Sequence, residues 1–539
     1  MLSINRRSAE RRPVFKKERR YETMKKLLVM LLAALLLLSS TSALACTGLY
    51  VGKQVSQDGS TIIARTVDTH PCLTPRLEIV VDRVENTPGR TLTGGRTGFS
   101  YPLPDTTYKY TSTPFASCAG GGYASAAVNE MGVAVTATVT AYIQSAWNDV
   151  DPMNYDTGLT EYVAADLIAS CAATAREGVE VVAKAIELNG NAEQNIIMIA
   201  DQNEAWYIET YTGTQWCAVK MPEDMVAVFG NQFMLQGVDP DSQDVMHSEG
   251  LFTLAEEAGL AVYDEDGAMN LFNTYSGTGR LANYGNRRTW MGHVLLAPST
   301  AGEYDTYTNY PLFYAPDEKV GLEDIFELFR NRFEGTQWAP DETGRVDQRV
   351  IGTETQAMSH VIQVFDGVPA EIACVSWQCM ANAEHSVYLP VSGLITDTAA
   401  AYAYNPDHEE IIYDPDMASV CFQRLCSLAE QDREYYGTGV RQFWHEKELS
   451  LIESYPEVYA EMARLYGEDP QAAAQYITDW TVALQEETLE QCNLMFDELM
   501  LYMMNNTDTL KNSFSYSRLT LTDTITQTPF VPSLLAVEE

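Results

Sequence analysis

At 539 residues and 46% hydrophobic composition, the chain is too long and too apolar to be disordered or to be a disulfide-stapled miniprotein. Its 35 Lys and Arg stand against 74 Asp and Glu, a formal net charge of -39 that argues against DNA, RNA or an anionic membrane surface as partner. Ten cysteines fall well short of a disulfide scaffold.

In chain order, residues 1–23 carry eight Arg and Lys with three Glu and read as a basic upstream extension, with Met24 the initiator. Met24-Lys25-Lys26 then opens onto an apolar run over 27–38, followed by Ser39-Ser40-Thr41-Ser42 and Ala43-Leu44-Ala45. A basic start, a short apolar run and an A-x-A site make 24–45 a secretory signal peptide. The run is too short for a spanning helix, which needs about 20 residues. Removing 1–45 takes away ten basic and three acidic residues, leaving 25 against 71 and a net charge of -46. The mature chain is therefore expected outside the cell or in its envelope, soluble and free of the membrane. Self-association is left open.

Cleavage after Ala45 makes Cys46 the first residue. Three readings follow from that position. Cys46 is a lipid-bearing cysteine of a non-catalytic surface protein, although Ala-Leu-Ala departs from the usual Leu-small-small approach to such sites. It is an ordinary cysteine. Or it is a nucleophile whose own α-amine serves as base: a thiol near pKa 8.5 is mostly protonated at neutral pH, and an amine near 7.7–8.0 can take its proton.

Residues 47–55 and 60–67 read as strands with Asp58-Gly59 as a hairpin turn. A two-residue turn there pairs Cys46 with residue 71 and leaves Asp68 roughly 10 Å along the strand, at about 3.3 Å per residue. Arg65 and Asp68 are thus carried back toward Cys46. A carboxylate there would orient amine and thiol, and a guanidinium would order that carboxylate and bind a polar substrate end. A surface ion pair explains the same spacing equally well.

Further along, 101–110 reads as a long aromatic surface loop, packed on the protein or lining a peptide cleft, and Gly120-Gly121-Gly122 as a loop before a strand. Helices are expected over 159–175, 178–188 and 322–333. Strands are expected over 195–199, 206–210, 359–365 and 372–377. Strand runs broken by helix pairs fit a layered domain with antiparallel sheets, placed at 46–415. Apolar residues at helical spacing over 420–431, 437–455, 456–466 and 470–504 make 416–505 a helical C-terminal region. The Ser/Thr-rich end, 506–539, is expected to be poorly ordered.

Other chemistry finds little footing. His445-Glu446 starts a zinc-protease motif, but Leu449 stands where the second His belongs. No spacing of the seven His suggests a metal, and no cofactor motif occurs. Cys374 and Cys379, like Cys421 and Cys426, are five apart, too far along a strand or helix for a local disulfide.

The opening Cys46-Thr47-Gly48, Asp58-Gly59-Ser60-Thr61 and Ala64-Arg65-Thr66-Val67-Asp68 resembles the PepD-type cysteine dipeptidases, among the N-terminal-nucleophile hydrolases. Bile salt hydrolases and penicillin V acylases share it more loosely. The likeness continues through Asn129-Glu130-Met131-Gly132, Glu204-Ala205-Trp206, the run from Met225 to Gln232, Asn286-Arg287-Arg288-Thr289-Trp290 and Arg330-Asn331-Arg332-Phe333-Glu334-Gly335-Thr336, to about residue 400. It implies an α+β fold, a four-layer αββα sandwich of two antiparallel sheets between helical layers. It implies a secreted dipeptidase acting on small peptides through a thioester, with an amidase on N-acyl amino acids or bile-salt-like conjugates as the alternative. By the same resemblance Cys46 is nucleophile and base, and Arg65 and Asp68 orient the amine and bind substrate. Asn231 supplies an oxyanion-hole amide, and Arg288, or equally Arg287, lies near the site. The acylases carry a further Asn after the Asn-Glu-x-Gly hairpin. Thr136, Thr138 and Thr140 occupy that strand here, so backbone N–H groups are the remaining source of a second oxyanion donor.

Overall fold

Alternation of apolar residues along the strands decides how two sheets meet. In the strand Thr61–Asp68, Ile62 and Ala64 face one apolar core while Ile63 faces another. Gly48–Val51 and Val226–Phe229 divide their side chains in the same way. Such strands are buried on both faces, as a sheet must be when it lies between two layers. The computed structural model describes residues 46–69, 79–94, 97–114, 124–276, 283–345, 348–404, 413–513 and 528–535, with backbone alone at 283–284 and 506–513. The expectations for 1–45 and for Gly120-Gly121-Gly122 lie outside these residues.

A six-stranded sheet has the order 226–229, 48–51, 61–68, 356–364, 374–380, 388–392, and every neighbouring pair is antiparallel. An eight-stranded sheet has the order 245–247, 216–220, 205–210, 195–200, 134–140, 124–129, 110–114, 79–81, again antiparallel throughout. The two sheets bury a shared core in which Tyr50, Ile63, Phe229 and Ile362 meet Val128, Ile196, Met198 and Tyr207.

Helices Glu161–Cys171 and Ala175–Asn189 cover the far face of the larger sheet with Leu167, Ile168, Val179 and Ile186. The Thr174 hydroxyl caps the second helix by accepting from the Glu177 N–H at 3.1 Å. The far face of the smaller sheet is covered by helices that include Asn283–Leu296, Leu322–Arg330, Ala418–Ala429, Gly437–Glu468 and Pro470–Ser513. Each large apolar side chain buried there contributes roughly 1.5–3 kcal/mol relative to exposure. The fold is the α+β, four-layer αββα sandwich of two antiparallel sheets that the resemblance implied.

Two expectations change. Gly437–Glu468 is one helix that runs through Pro456 rather than two helices meeting there. The proline removes one helical hydrogen bond, at a cost of about 3 kcal/mol, but Leu451 and Tyr455 before it and Met462 after it pack into the same core. The stretch 101–110 is not a long surface loop. Tyr101 and Tyr110 are buried beneath helix Glu161–Cys171, and the Tyr110 hydroxyl donates to Asp166 Oδ1 at 2.8 Å. In the C-terminal stretch, Phe530 is buried against Tyr502, and its N–H donates to the Tyr435 carbonyl at 2.7 Å.

An ion pair on a buried glutamate ties the C-terminal helices to the sandwich. Arg330 donates to Glu448 Oε1 at 2.7 Å, and the same oxygen accepts the Tyr388 N–H at 2.8 Å. Among the described residues no helix is long and apolar enough to cross a membrane.

Candidate active site

Cys46 is buried, two residues before the strand Gly48–Val51, in the core between the sheets. The hairpin that follows brings Arg65 and Asp68 back to it, in a register different from the one expected. Gly48 pairs with Arg65 and Leu49 with Ala64. Carried two residues on, that register sets Cys46 level with Val67, not with residue 71. The turn is longer than Asp58-Gly59, because the first strand ends at Val51 and the chain from Gly52 to Ser60 docks on neighbours. The Gly52 N–H donates to the Met225 carbonyl at 2.9 Å and the Gln57 N–H to the Val320 carbonyl at 3.0 Å. Asp58 Oδ1 accepts from the Ser60 N–H at 3.0 Å, and Gly59 takes a φ of 82°.

Arg65 points between the sheets. Its Nη1 lies 3.7 Å from the Cys46 sulfur and also donates to the Thr138 carbonyl; its Nη2 donates to the carbonyls of Ser125 at 2.9 Å and Ala137 at 2.8 Å. Two of these acceptors, the carbonyls of Ala137 and Thr138, lie where the strand Ala134–Thr140 bulges between Ala137 and Val139, and the third, that of Ser125, belongs to the neighbouring strand Ala124–Asn129. The bulge turns backbone carbonyls toward the guanidinium and reverses the strand's alternation, so that Val135 and Ala137 face the helices whereas Val139 faces the intersheet core. Arg65 is therefore not the cation on Asp68.

That cation is Arg349, whose Nη2 is 2.5 Å from Asp68 Oδ2. The Thr66 hydroxyl donates to the same oxygen at 3.2 Å and accepts the Thr47 N–H at 3.0 Å. Asp68 Oδ1 and Arg65 Nε are buried with no hydrogen-bond partner among the described residues.

Arg288 also reaches Cys46, and it holds Asn231 beside it. Arg288 Nη1 donates to the Cys46 carbonyl at 2.6 Å and to the Thr47 hydroxyl at 2.9 Å, and Nη2 donates to Asn231 Oδ1 at 2.6 Å. The Asn231 amide donates to the Thr140 carbonyl at 2.9 Å. Two glycines permit the approach: a Cβ on Gly48 would lie 2.2 Å from the Phe229 ring, and one on Gly230 would lie 2.9 Å from Arg288 Nη2. Of the two candidate arginines, Arg288 is the one that joins the site. Arg287 lies over the rings of Trp338 and Tyr304, 4.9 and 5.3 Å from their centroids.

Burial dominates the electrostatics. It pushes the Cys46 thiol up, as does the Asp68 charge, against the lowering influence of Arg65 and of the Asp68 backbone N–H. Burial likewise raises the Asp68 carboxyl, opposed first by Arg349 and then by Arg288. Burial, and after it the Arg349 charge, disfavours the Arg288 cation, while Asp68 and Cys46 support it. A thiol so placed needs a base before it can attack.

Sequence reasoning missed Arg349 and Glu161. Glu161 Oε2 accepts from the Thr138 hydroxyl at 3.1 Å, and its charge raises the Cys46 thiol. Neither residue sits in a motif, and their approach depends on contacts between distant segments. The threonine strand supplies acceptors, with the Thr138 carbonyl holding Arg65 and the Thr140 carbonyl holding Asn231. Among the described residues no group of three or more His, Cys, Asp and Glu is placed to hold a metal ion, and eight cysteines, Cys46 included, are free.

The sequence pattern of Peptidase family C69 matches residues 45–477. A probable dipeptidase B of Streptococcus pyogenes serotype M1 is 29% identical over 462 residues, covering 83% of this chain and 91% of that protein. A probable dipeptidase of Salmonella dublin is 31% identical over 352 residues, covering 64% and 80%. Among solved structures, a mutant conjugated bile acid hydrolase from Clostridium perfringens is similar at a TM-score of 0.32 and 11% identity, covering 64% of this chain and 92% of that one. Penicillin V acylase from Agrobacterium tumefaciens is similar at 0.29 and 12%, covering 64% and 86%.

Proposed function

Since the chain belongs to Peptidase family C69, we propose that it is an exported dipeptidase that works through Cys46 once residues 1–45 have been removed. The observation that carries this reading is the convergence on Cys46. Arg65 lies 3.7 Å from its sulfur, Arg288 holds its carbonyl at 2.6 Å, and Asp68 keeps one buried oxygen without a partner among the described residues. That oxygen suits an N–H of a freed α-amine.

In the proposed reaction the α-amine takes the thiol proton and the sulfur attacks the carbonyl carbon of the dipeptide. The oxyanion that develops is met by the Asn231 amide, held by Arg288. The tetrahedral intermediate collapses with cleavage of the C–N bond, and the departing amine takes the proton from the α-ammonium. Water, deprotonated by the same amine, then hydrolyses the thioester and frees the thiol. Arg65 lowers the thiol's proton affinity throughout.

Charged groups at the site suit a substrate with two charged termini, which fixes length more than side-chain identity. The test is a panel of dipeptides beside longer peptides, N-acyl amino acids and bile-salt conjugates, run on protein whose mass places Cys46 at the N-terminus. Dipeptides should be cleaved fastest. Faster cleavage of an acyl conjugate than of any dipeptide would move the substrate class to the acylases, and a mass showing acylated Cys46 would end the catalytic reading.

A further inference from the structure

Resting on that reading, we propose that Arg349 is a positioning residue for the reaction: it fixes Asp68 by one carboxylate oxygen and so presents the other to the α-amine of Cys46. The two carboxylate oxygens have different surroundings. Oδ2 takes the Arg349 guanidinium at 2.5 Å and the Thr66 hydroxyl at 3.2 Å, whereas Oδ1 is buried with no partner among the described residues. The Asp68 side chain is 0% exposed and that of Arg349 16%. Charge-assisted contact in such a dry place holds a carboxylate far more firmly than a surface pair does.

The other two arginines of the site are committed elsewhere. Arg65 holds three backbone carbonyls of the eight-stranded sheet, and Arg288 holds Cys46, Thr47 and Asn231. Arg349 is delivered from a firm base, because Val350 and Ile351 beside it are buried in the core and its Nη1 donates to the Val350 carbonyl at 2.9 Å. The grip also reaches the nucleophile's own segment, since Thr66 links Oδ2 to the Thr47 N–H. The charged and titratable groups around Asp68 are Arg349 from this loop, Arg288 from the helix Asn283–Leu296, and Cys46. Burial favours the neutral acid, and Arg349 is the strongest influence against it. Loss of the guanidinium raises the proton affinity of the whole cluster, amine and thiol included.

The test reads Cys46 directly, so it does not depend on the identity of the substrate. The rate of alkylation by iodoacetamide is followed against pH in protein that begins at Cys46. Wild type, Arg349→Met and Arg349→Lys are each measured with Asp68 and with Asp68→Asn. With Asp68 present, Arg349→Met should move the midpoint upward by about half a pH unit or more, and Arg349→Lys should recover most of that shift. In the Asp68→Asn background the Arg349→Met shift should largely vanish, because the carboxylate through which Arg349 acts is gone. The double variant also removes both members of the buried pair, so no uncompensated charge threatens the fold. An unmoved midpoint, or equal shifts in both backgrounds, overturns the proposal. If the predicted pattern appears in a protein that cleaves no dipeptide, the substrate reading fails and the role of Arg349 stands.

Discussion

Arg288 donates to the side-chain carbonyl of Asn231 at 2.6 Å, and this contact decides which end of the amide does what. With Oδ1 taken by the guanidinium, the nitrogen end is directed toward the strand that carries Thr140, whose carbonyl it meets at 2.9 Å. That end carries N–H donors, the chemistry an oxyanion donor needs.

Asn231→Ala should therefore lower kcat by about 10²–10³ while leaving KM within a few-fold, since such a donor acts on charge that develops in the transition state. Steady-state kinetics on a good dipeptide decide it. A change confined to KM would make Asn231 a substrate contact or a structural turn.

Cys46→Ala should abolish hydrolysis without unfolding the protein, because the residue precedes the first strand and loses only one sulfur from the intersheet core. Cys46→Ser should keep at most weak activity, a hydroxyl being far harder for an amine of pKa near 8 to deprotonate. Thermal unfolding alongside the assay separates the two effects. Near-normal turnover by the Ala variant would remove Cys46 from the mechanism.

The parts of the site legible in the sequence were those held by local chain geometry or by ordered motifs. The return of Arg65 and Asp68 to Cys46 follows from two strands and a turn. Its register did not, because Asp58-Gly59 looks the same in a two-residue hairpin and in a longer loop docked through Gln57 onto Val320. The cation on Asp68 was out of reach for a different reason. Arg349 lies 281 residues away, and only the fold of the whole sandwich brings it near. Helical spacing revealed the C-terminal helices, but the continuity of Gly437–Glu468 through Pro456 is decided by packing on both sides of the proline, which local propensity does not record.

Glu209 offers a pH test of the scaffold that carries Asn231. It is fully buried and accepts from the hydroxyls of Tyr207 and Tyr211, each at 2.8 Å, and from the N–H groups of Met234 at 2.5 Å and Leu235 at 3.3 Å. It thus anchors the loop just after Asn231. Burial pushes its carboxyl up from 4.5 to about 7, against those four donors. A carboxyl raised on folding contributes stability that is complete below its unfolded value and is lost as pH rises through the folded one. Between pH 4.5 and 7 the wild type should lose up to about 3 kcal/mol relative to Glu209→Gln. Urea unfolding of both proteins across that window measures it, and a constant difference between them would show that Glu209 does not titrate there.

The amine can be tested separately from the thiol. In a chain that keeps any residue before Cys46, the Cys46 nitrogen is a peptide amide and cannot accept a proton at neutral pH. A variant produced without export, with one added residue ahead of Cys46, should therefore be inactive until that residue is removed by an aminopeptidase. Its sulfur would still be present beside Arg65, so the loss would belong to the missing base and to the space the added residue takes from the substrate. The same protein after trimming should regain activity in proportion to the fraction whose mass begins at Cys46. A thiol alkylating agent should inactivate the trimmed enzyme, and a metal chelator should leave its rate unchanged. Full activity from the untrimmed chain would require another base, and His360 is the residue to examine. It is buried, and the Arg65 charge bears on it. Its Nε2, however, is 2.8 Å from the Thr136 hydroxyl, and burial with that cation already holds the ring neutral. His360→Gln in the untrimmed chain would then test that residue: loss of activity transfers the role to the imidazole, and no change in rate excludes His360 as well.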